Sequence, residues 1–386
     1  MISKLINPIQ HYSWGSRSFL QELTRDPSLA GKPAAELWMG AHPQAPSKIT
    51  FNGTQMPLGD FLDTNPSSLL GKSDSPRLPY LFKVLAVEQA LSIQVHPSRR
   101  QAREGFALEQ ARGISLSDPM RKYRDDNHKP ELIYALTEFK ALCGFRRYSQ
   151  IISLGKILGF DQLLSFRTFS AQPDTARFRQ LICELLSLRN YELQAFLQAC
   201  LARLDQLPEA DTAELIRELH ELYPFDIGAI FPALVNLIKL NPGEAIYLDA
   251  GIIHCYLKGA GLEVMASSDN VLRAGLSPKY IDVAEFCKIC SFEPYYPLII
   301  CSNPQPGEFG TYASPCPDFR LRKINLPADH ELVLDPENSP LIIYCMDGRA
   351  TIAGNLLIRG ESLFVSADEA QLKLSGRATL FVVDLP

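Results

Sequence analysis

The sequence predicts a mainly β protein that carries an α-helical insertion and ends in a second β domain. Residues 1–146 are rich in proline, glycine and short apolar runs, which is typical of short strands joined by turns. Residues 147–236 instead space their apolar side chains at helical intervals. From residue 237 the short strand-like runs return and continue to the end. We therefore expect a β domain interrupted by helices, followed by a separate β domain.

The composition is that of a globular chain long enough for two or three domains. Of its 386 residues 46% are hydrophobic and 21% are charged, and the formal net charge is −5. This mild acidity gives no reason to expect nucleic acid as a partner. No run of about 18 apolar residues indicates a membrane span, and the first residues lack a signal-peptide pattern. The nine scattered cysteines indicate reduced thiols, so we expect a cytoplasmic protein.

The elements follow in chain order. Residues 78–85 are typical of the short strands in the first region, and residues 178–186, 193–204 and 212–222 predict helices in a block of roughly three to five. Residues 241–248 indicate a turn that enters a strand. Near the C-terminus, Asp347-Gly348 between two strand-like runs predicts a hairpin turn. Short strands of this kind favour a small antiparallel barrel or sandwich.

Four residues from separate segments could form one metal site: Gln94, His96, Glu131 and His254. Gln94 and His96 lie two apart in an alternating stretch, so a strand would project them to the same side. Two imidazoles, a carboxylate and an amide oxygen suit Zn²⁺ or a neighbouring divalent ion and leave a position open for substrate. Taken singly, each of these residues could be a hydrogen-bonded or solvated structural residue.

If His254 meets His96, the segments on either side of the helices must form one domain. The predicted domains are therefore residues 1–146 with 237–295, the helical insertion 147–236, and the C-terminal domain 296–386.

Positive charge accompanies these residues in Lys129, Arg273 and Lys279. Arginine suits a bidentate grip on phosphate and lysine acts as a point charge, although any one of them could be an ordinary surface residue. No glycine-rich nucleotide-binding loop is present. Cys287 and Cys290 lack a second pair at zinc-site spacing, so we interpret them as structural thiols. The other histidines, His11, His42, His220 and His330, lie apart from any cluster.

With these segments assembled, the chain resembles the type I mannose-6-phosphate isomerases (phosphomannose isomerases), zinc enzymes of the cupin superfamily. The motifs that carry the resemblance occur in order along the chain: Tyr12-Ser13-Trp14-Gly15, Ala35-Glu36-Leu37-Trp38-Met39-Gly40, Leu91-Ser92-Ile93-Gln94-Val95-His96-Pro97, His128-Lys129-Pro130-Glu131, Gly251-Ile252-Ile253-His254-Cys255-Tyr256-Leu257 and Ser268-Asp269-Asn270-Val271-Leu272-Arg273. Cys255 departs from the small residue common in the family, and we expect it to affect packing only.

The resemblance implies a cupin-type jelly-roll barrel and a second, C-terminal cupin-like barrel without a metal. It implies that Gln94, His96, Glu131 and His254 hold one zinc ion per chain. It further implies a sugar-phosphate pocket lined by Ser92, Trp14, Lys129, Tyr256, Glu263, Arg273 and Lys279.

The implied reaction interconverts mannose 6-phosphate and fructose 6-phosphate through an enediol, and would serve mannose utilisation and the synthesis of mannose nucleotides. Arg273 would steady the enediolate or else the phosphate, with Lys279 and Ser92 holding the other. The general base stays open at this point. The candidates are His128, Lys129, Glu263, Asp269, Lys83 and a metal-bound hydroxide.

Two other functions stay open on the residues alone, namely a sugar-sensing cupin without turnover and a cupin Fe(II) oxygenase. The cations around the proposed metal favour the isomerase over both. As a partner we expect only a small sugar phosphate, with no nucleic acid, no membrane and a monomeric state.

Overall fold

A computed structural model describes residues 1–328 and 330–386. It confirms the predicted fold class, since it has two β-sheet regions of the cupin type and a set of helices inserted in the first of them. The strands are β1 Ile2–Lys4, β2 Ile9–Gln10, β3 Glu36–Met39, β4 Lys48–Phe51, β5 Thr54–Pro57, β6 Tyr80–Val87, β7 Ile93–Val95, β8 Glu131–Ala135, β9 Phe139–Phe145, β10 Val235–Leu240, β11 Glu244–Leu248, β12 His254–Ala266, β13 Leu272–Gly275, β14 Ile300–Cys301, β15 Phe309–Tyr312, β16 Arg320–Leu326, β17 Leu332–Leu334, β18 Leu341–Ile352, β19 Asn355–Ile358, β20 Ser362–Val365 and β21 Leu372–Asp384.

The described residues contain ten α-helices, five of them between β9 and β10. They are α1 Phe19–Thr24, α2 Leu58–Leu62, α3 Pro66–Leu70, α4 Arg99–Ala111, α5 Tyr148–Leu158, α6 Leu164–Ala171, α7 Thr175–Ser187, α8 Asn190–Leu201, α9 Ala210–Leu222 and α10 Val283–Ile289, with short 3₁₀ helices at Pro27–Leu29, Phe160–Gln162, Leu204–Gln206 and Ile227–Ala233. Helices α5 to α9 bury one apolar face each, as their spacing predicts. None of the helices in the described residues has the length and apolarity that crossing a membrane requires.

The long strand β12 organises the first β region. Its first residues pair with β7 and β9, and the rest of the strand pairs with β6 and β8. The register places His254 opposite Gln94 and Met265 opposite Glu131. A single strand therefore brings together segments that are far apart in sequence.

One disulfide contradicts the expectation of reduced thiols throughout. The structure bonds Cys183 on α7 to Cys287 on α10, with their Cα atoms 6.7 Å apart. The remaining cysteines are free within the described residues. The pairing depends on α7 packing against α10, a long-range contact that the cysteine spacing does not reveal.

The C-terminal sheet runs in the order β1-β20-β18-β21-β16-β15, so the N-terminal strand β1 belongs to it. This sheet shares a continuous apolar core with the first region, in which Phe82 and Tyr134 meet Tyr344 and Phe381. The domain boundaries at 147, 237 and 296 stay a proposal, and the pairing of β1 with β20 adds a strand from the first segment to the last domain.

The predicted hairpin turn at Asp347-Gly348 is wrong. Both residues lie inside β18, where the register shifts at a bulge and Gly348 has φ of 77°. The turn lies instead at Ala353-Gly354, with φ of 45° and 82°, between β18 and β19. Two consecutive positive φ values suit a tight hairpin, whereas one positive φ within a strand marks a bulge.

Candidate active site

The predicted metal residues His96, Glu131 and His254 converge at the centre of the first β region. Their nearest ligand atoms all lie within 4.8 Å of one another, and each residue is 1% exposed. His96 Nε2 lies 3.3 Å from Glu131 Oε1, and His254 Nε2 lies 3.4 Å from Glu131 Oε2. The three side chains are therefore buried against each other with their donor atoms facing inward.

The hydrogen bonds of both imidazoles leave Nε2 free for a metal. The Nδ1 atoms lie 2.7 Å from the Asn270 carbonyl for His96 and 2.9 Å from the Ile252 carbonyl for His254. Nδ1 must carry the proton to donate to these carbonyls. Nε2 of the neutral ring then carries the lone pair that can bind a metal. Within the described residues both Nε2 atoms are buried without a hydrogen-bond partner. Two lone pairs that face a carboxylate fit a bound cation.

The surroundings favour a neutral His96 beside an ionised Glu131. Burial lowers the pKa of His96 to about 4, which favours the neutral ligand form. Burial acts in the opposite direction on Glu131, but Lys129 and His96 outweigh it and hold the pKa of that carboxyl well below its usual range. Lys129 Nζ lies 3.1 Å from Glu131 Oε1. Tyr256 donates its hydroxyl to Glu131 Oε2 at 3.2 Å.

Gln94 lies beside this group. It is the register partner of both His254 on β12 and Arg273 on β13, and it lines the same cavity as Glu131. Cys255 points to the opposite side of β12, where it is fully buried and its thiol lies 3.0 Å from the Leu91 carbonyl. This agrees with the packing role predicted for it.

The cavity measures about 960 Å³ and opens beside Glu131. Most of the predicted site residues line it: Trp14, Ser92, Gln94, Lys129, Glu131, Tyr256, Glu263, Asp269, Arg273 and Lys279. His96 and His254 lie behind Glu131, with donor atoms turned toward it.

Lys83 and Glu263 form a buried ion pair in the cavity wall. Their strands place them directly opposite each other, and Lys83 Nζ lies 3.0 Å from Glu263 Oε2 and 3.5 Å from Glu36 Oε2. Burial lowers the pKa of Lys83, but the two carboxylates outweigh it and raise that pKa above its usual value. Lys83 therefore stays protonated. In this form it can stabilise negative charge but cannot act as a general base.

Arg124, Arg273 and Lys279 line the same cavity, and burial together with repulsion between these cations lowers the pKa of two of them. Burial, followed by Arg273 and Arg124, lowers the pKa of Lys279. Burial, followed by Arg124, lowers the pKa of Arg273. Among the residues that the structure describes, none of the three has a carboxylate within ion-pair distance. Such a group favours binding of an anion.

The buried amide of Asn270 connects this group with the metal residues. Its Oδ1 accepts from the Arg124 N–H at 2.7 Å, and its Nδ2 donates to the carbonyls of Asp125 at 2.9 Å and Asn127 at 2.8 Å. Its own carbonyl is the acceptor for His96. One residue thus holds the Arg124 segment and orients a predicted ligand.

Sequence reasoning missed several residues of the wall. His42 lies in it, with Nε2 3.4 Å from Asp269 Oδ1. Glu36 and Trp38 alternate on β3, and Trp38 lies opposite Lys83 in register. Because Glu36 and Trp38 are two positions apart on a strand, the sequence could have indicated that they share one face. No sequence pattern indicates that Arg124 belongs to the cavity.

One predicted residue, His128, lies elsewhere. It is not among the described residues that line the cavity. Its Nε2 contacts Asp318 and Arg99 instead. His128 thus has no access to the cavity through that nitrogen.

Comparisons with known proteins give one answer. A family model described as "Phosphomannose isomerase type I, catalytic domain" matches residues 2–148. The mannose-6-phosphate isomerase of Salmonella typhimurium is 40% identical over 393 residues, which cover 98% of this chain and 98% of that protein. The human mannose-6-phosphate isomerase is 34% identical and covers 97% of this chain and 96% of its own length.

Solved structures agree with these relatives. A point mutant of phosphomannose isomerase from Salmonella typhimurium superimposes with a TM-score of 0.93 at 40% identity, covering 100% of this chain and 99% of that one. A zinc-bound mannose 6-phosphate isomerase gives a TM-score of 0.92 at 39% identity, with the same coverage.

Proposed function

The chain belongs to the type I phosphomannose isomerase family, and on that premise we propose how its cavity interconverts mannose 6-phosphate and fructose 6-phosphate with zinc. The observation that carries the proposal is the pair of imidazole Nε2 atoms that face Glu131 without a hydrogen-bond partner, within the described residues. Glu131 itself lines the cavity that also holds three cations without a carboxylate partner among those residues.

We propose that Gln94, His96, Glu131 and His254 hold the ion. The two Nε2 atoms and the carboxylate supply three donors, and Gln94 would add a neutral oxygen that leaves the metal more electron-poor than a second carboxylate would. When bound, zinc stabilises the negative charge that develops on the sugar oxygens during enolisation. Lys129 and Tyr256, both in contact with Glu131, keep its carboxylate in place.

We propose that the phosphate binds to Lys279, Arg124 and Ser92. Besides burial, Arg124 lowers the pKa of both Arg273 and Lys279, which indicates that the three cations lie near one another, and Ser92 lines the same cavity. Arg273 is also the register partner of Gln94. This pairing with a proposed metal ligand favours a role for Arg273 in steadying the enediolate oxygen.

The reaction is an isomerisation, so the sugar phosphate neither gains nor loses hydrogen overall. A base takes the proton from C2 of the aldose, giving the enediol, and a proton returns to C1, while the hydroxyl hydrogen passes from O2 to O1. Lys83 is held protonated, Glu263 is engaged in the buried ion pair with it, and His128 is turned away. Among the protein side chains, Asp269 and Lys129 are therefore the candidates we retain. Burial would raise the pKa of Asp269, but its contact with His42 and the nearby positive charge of Lys129 lower it, so its carboxylate is in the ionised form that a base needs.

The decisive assay couples fructose 6-phosphate formation from mannose 6-phosphate to a spectrophotometric readout. We expect turnover that a chelator removes and added zinc restores. A sugar sensor would bind the substrate without turnover, and an Fe(II) oxygenase would need oxygen and iron. The absence of chelator-sensitive isomerisation would refute the proposal.

Exchange of the C2 hydrogen with solvent tests the base. Asp269→Asn should abolish washout of deuterium from C2-labelled mannose 6-phosphate if Asp269 is the base, and Lys129→Met should do so if Lys129 is. Washout that survives in both variants would refute both assignments.

We propose that the protein acts as a monomer in the cytoplasm. The residues that we propose for the metal and the phosphate belong to one cavity within the chain, and a sugar phosphate is too highly charged to cross a membrane unaided. Light scattering at assay concentration tests the first statement and cell fractionation the second.

A further inference from the structure

A charged cluster outside the cavity joins the C-terminal barrel to the segments that carry the metal residues. Arg99 Nη2 donates to Asp318 at 2.9 Å and 2.7 Å, one bond to each carboxylate oxygen. His128 Nε2 contacts the same carboxylate and lies 2.7 Å from Arg99 Nη2. Asp318 therefore joins two side chains that belong to the first β region.

Asp318 itself is anchored in the other barrel. The next residue, Phe319, is fully buried in the core that both barrels share, and β16 begins directly afterwards at Arg320. The side chain of Asp318 is 13% exposed and that of His128 is 16% exposed. Arg99 is 40% exposed, so the contact between Asp318 and His128 is the better shielded of the two, and a contact shielded from water has a more defined geometry than one on the surface.

Each partner of Asp318 is three positions from a proposed metal ligand. Arg99 is the first residue of α4, follows the capping box of Ser98, and stands three residues after His96. His128 stands three residues before Glu131, with Lys129 and the buried Pro130 between them. The carboxylate thus holds both chain segments from which His96 and Glu131 project.

We propose that Asp318 is a positioning residue for the metal centre, supplied by the C-terminal barrel. It fixes His128 and Arg99, and through them the backbone that aims Glu131 and His96. The C-terminal barrel thereby completes the site of the other barrel. This inference rests on the proposed zinc function.

The charge state of the cluster fits this role. Burial would raise the pKa of Asp318, but the bonds from His128 and Arg99 lower it, so the carboxylate stays ionised at neutral pH. Outer residues that orient metal ligands commonly alter metal affinity or activity by about 10- to 100-fold when removed.

The first test is Asp318→Asn, which keeps the shape and removes the charge. We expect zinc affinity, measured by competition with a chromogenic chelator, and kcat each to fall by about 10- to 100-fold. KM for mannose 6-phosphate should stay within about twofold of wild type, because Asn270 holds the Arg124 segment independently of this cluster. Asp318→Glu keeps the charge and should recover part of the zinc affinity.

The matched control is Glu337→Gln. It removes an ion pair on the same barrel, between Glu337 Oε2 and Arg320 Nη2 at 3.2 Å, without a contact to the first β region among the described residues. We expect wild-type zinc affinity and turnover from this variant.

A double-mutant cycle with His128→Gln tests whether Asp318 acts through His128. The double variant should lose less binding free energy for zinc than the two single variants lose together, because both single variants break the same interaction. Wild-type zinc affinity in Asp318→Asn, a melting temperature that falls while zinc affinity does not, or additive losses in the cycle would overturn the proposal. If Asp318→Asn does not fold, Arg99→Gln removes the other partner of the carboxylate and is judged by the same readouts.

The two proposals can fail separately. Zinc affinity is measured without substrate, so a wild-type protein that binds zinc but does not isomerise would refute the proposed function and leave the role of Asp318 testable. A wild-type enzyme with chelator-sensitive turnover, together with an Asp318→Asn variant of unchanged zinc affinity, would refute only the inference about Asp318.

Discussion

Replacing Asn270 with alanine tests whether this amide organises the substrate side of the site. The side chain is fully buried, and the variant would leave the Arg124 N–H and the carbonyls of Asp125 and Asn127 without their partners. Each buried group left unpaired costs about 1–3 kcal/mol, and water that enters the vacated space recovers part of it. We expect the free energy of unfolding to fall by about 3 kcal/mol.

The kinetic effect should be selective. Loss of the amide frees the backbone of Arg124, so KM for mannose 6-phosphate should rise by roughly tenfold, which corresponds to about 1.4 kcal/mol. Zinc affinity should change little, because the acceptor for His96 is the main-chain carbonyl of Asn270, and alanine keeps it. The assays are urea unfolding, initial-rate kinetics and chelator competition.

The control for this variant is Asn355→Ala, which removes an asparagine amide from the hairpin after β18. It should leave KM unchanged. Wild-type stability and KM in Asn270→Ala would refute the reasoning, and so would a loss of zinc affinity at constant KM, since that result would connect the side chain to the metal and not to the phosphate.

The remaining predictions concern the reaction, pH and the second barrel. Arg273→Ala should lower kcat/KM by about 10²- to 10³-fold through lost charge stabilisation, and near-normal turnover would exclude its catalytic role. The metal-free protein should lose stability as pH falls from about 6.5 toward about 4, because the unfolded chain protonates His96 in that range and the folded chain does not. In urea unfolding, His96→Gln should show a shallower pH slope, and an unchanged slope would contradict the assignment. Gly348→Ala should destabilise the protein by about 2 kcal/mol or more with kcat unchanged, because its Cβ would lie 2.1 Å from the Arg377 carbonyl, whereas Gly354→Ala meets open space and should cost less. Equal thermal stability of these two glycine variants would refute the bulge argument.

Local patterns predicted the parts of the molecule that depend on local spacing. Residues 178–186 and 212–222 are helical because their apolar side chains recur at helical intervals and meet a common core. Gln94 was predicted to share a strand face with His96, and the structure places it beside His254 across the sheet. The family motifs added which of these residues belong together.

The rest depends on contacts between distant segments. Arg124 lies in an irregular stretch without periodicity, and only the amide of Asn270 brings it to the cavity. His42 looked isolated because its partner Asp269 is remote in sequence. Asp347-Gly348 resembled a turn because a bulge and a hairpin both use a glycine with positive φ, and pairing with β21 decides between them.

The pairing of β1 with β20 has a consequence for how the protein is made. Ile2 pairs with Val365, and β21, which lies in the middle of the same sheet, ends only at Asp384. At about 5–20 residues per second, a ribosome would need roughly 20 to 70 seconds between these two partners. During this time β1 is an unpaired strand on a growing chain, open to other nascent chains and to chaperones. The C-terminal barrel can close only after β21 has been synthesised, so the speed of elongation and the crowding of polysomes affect the folding yield of this protein.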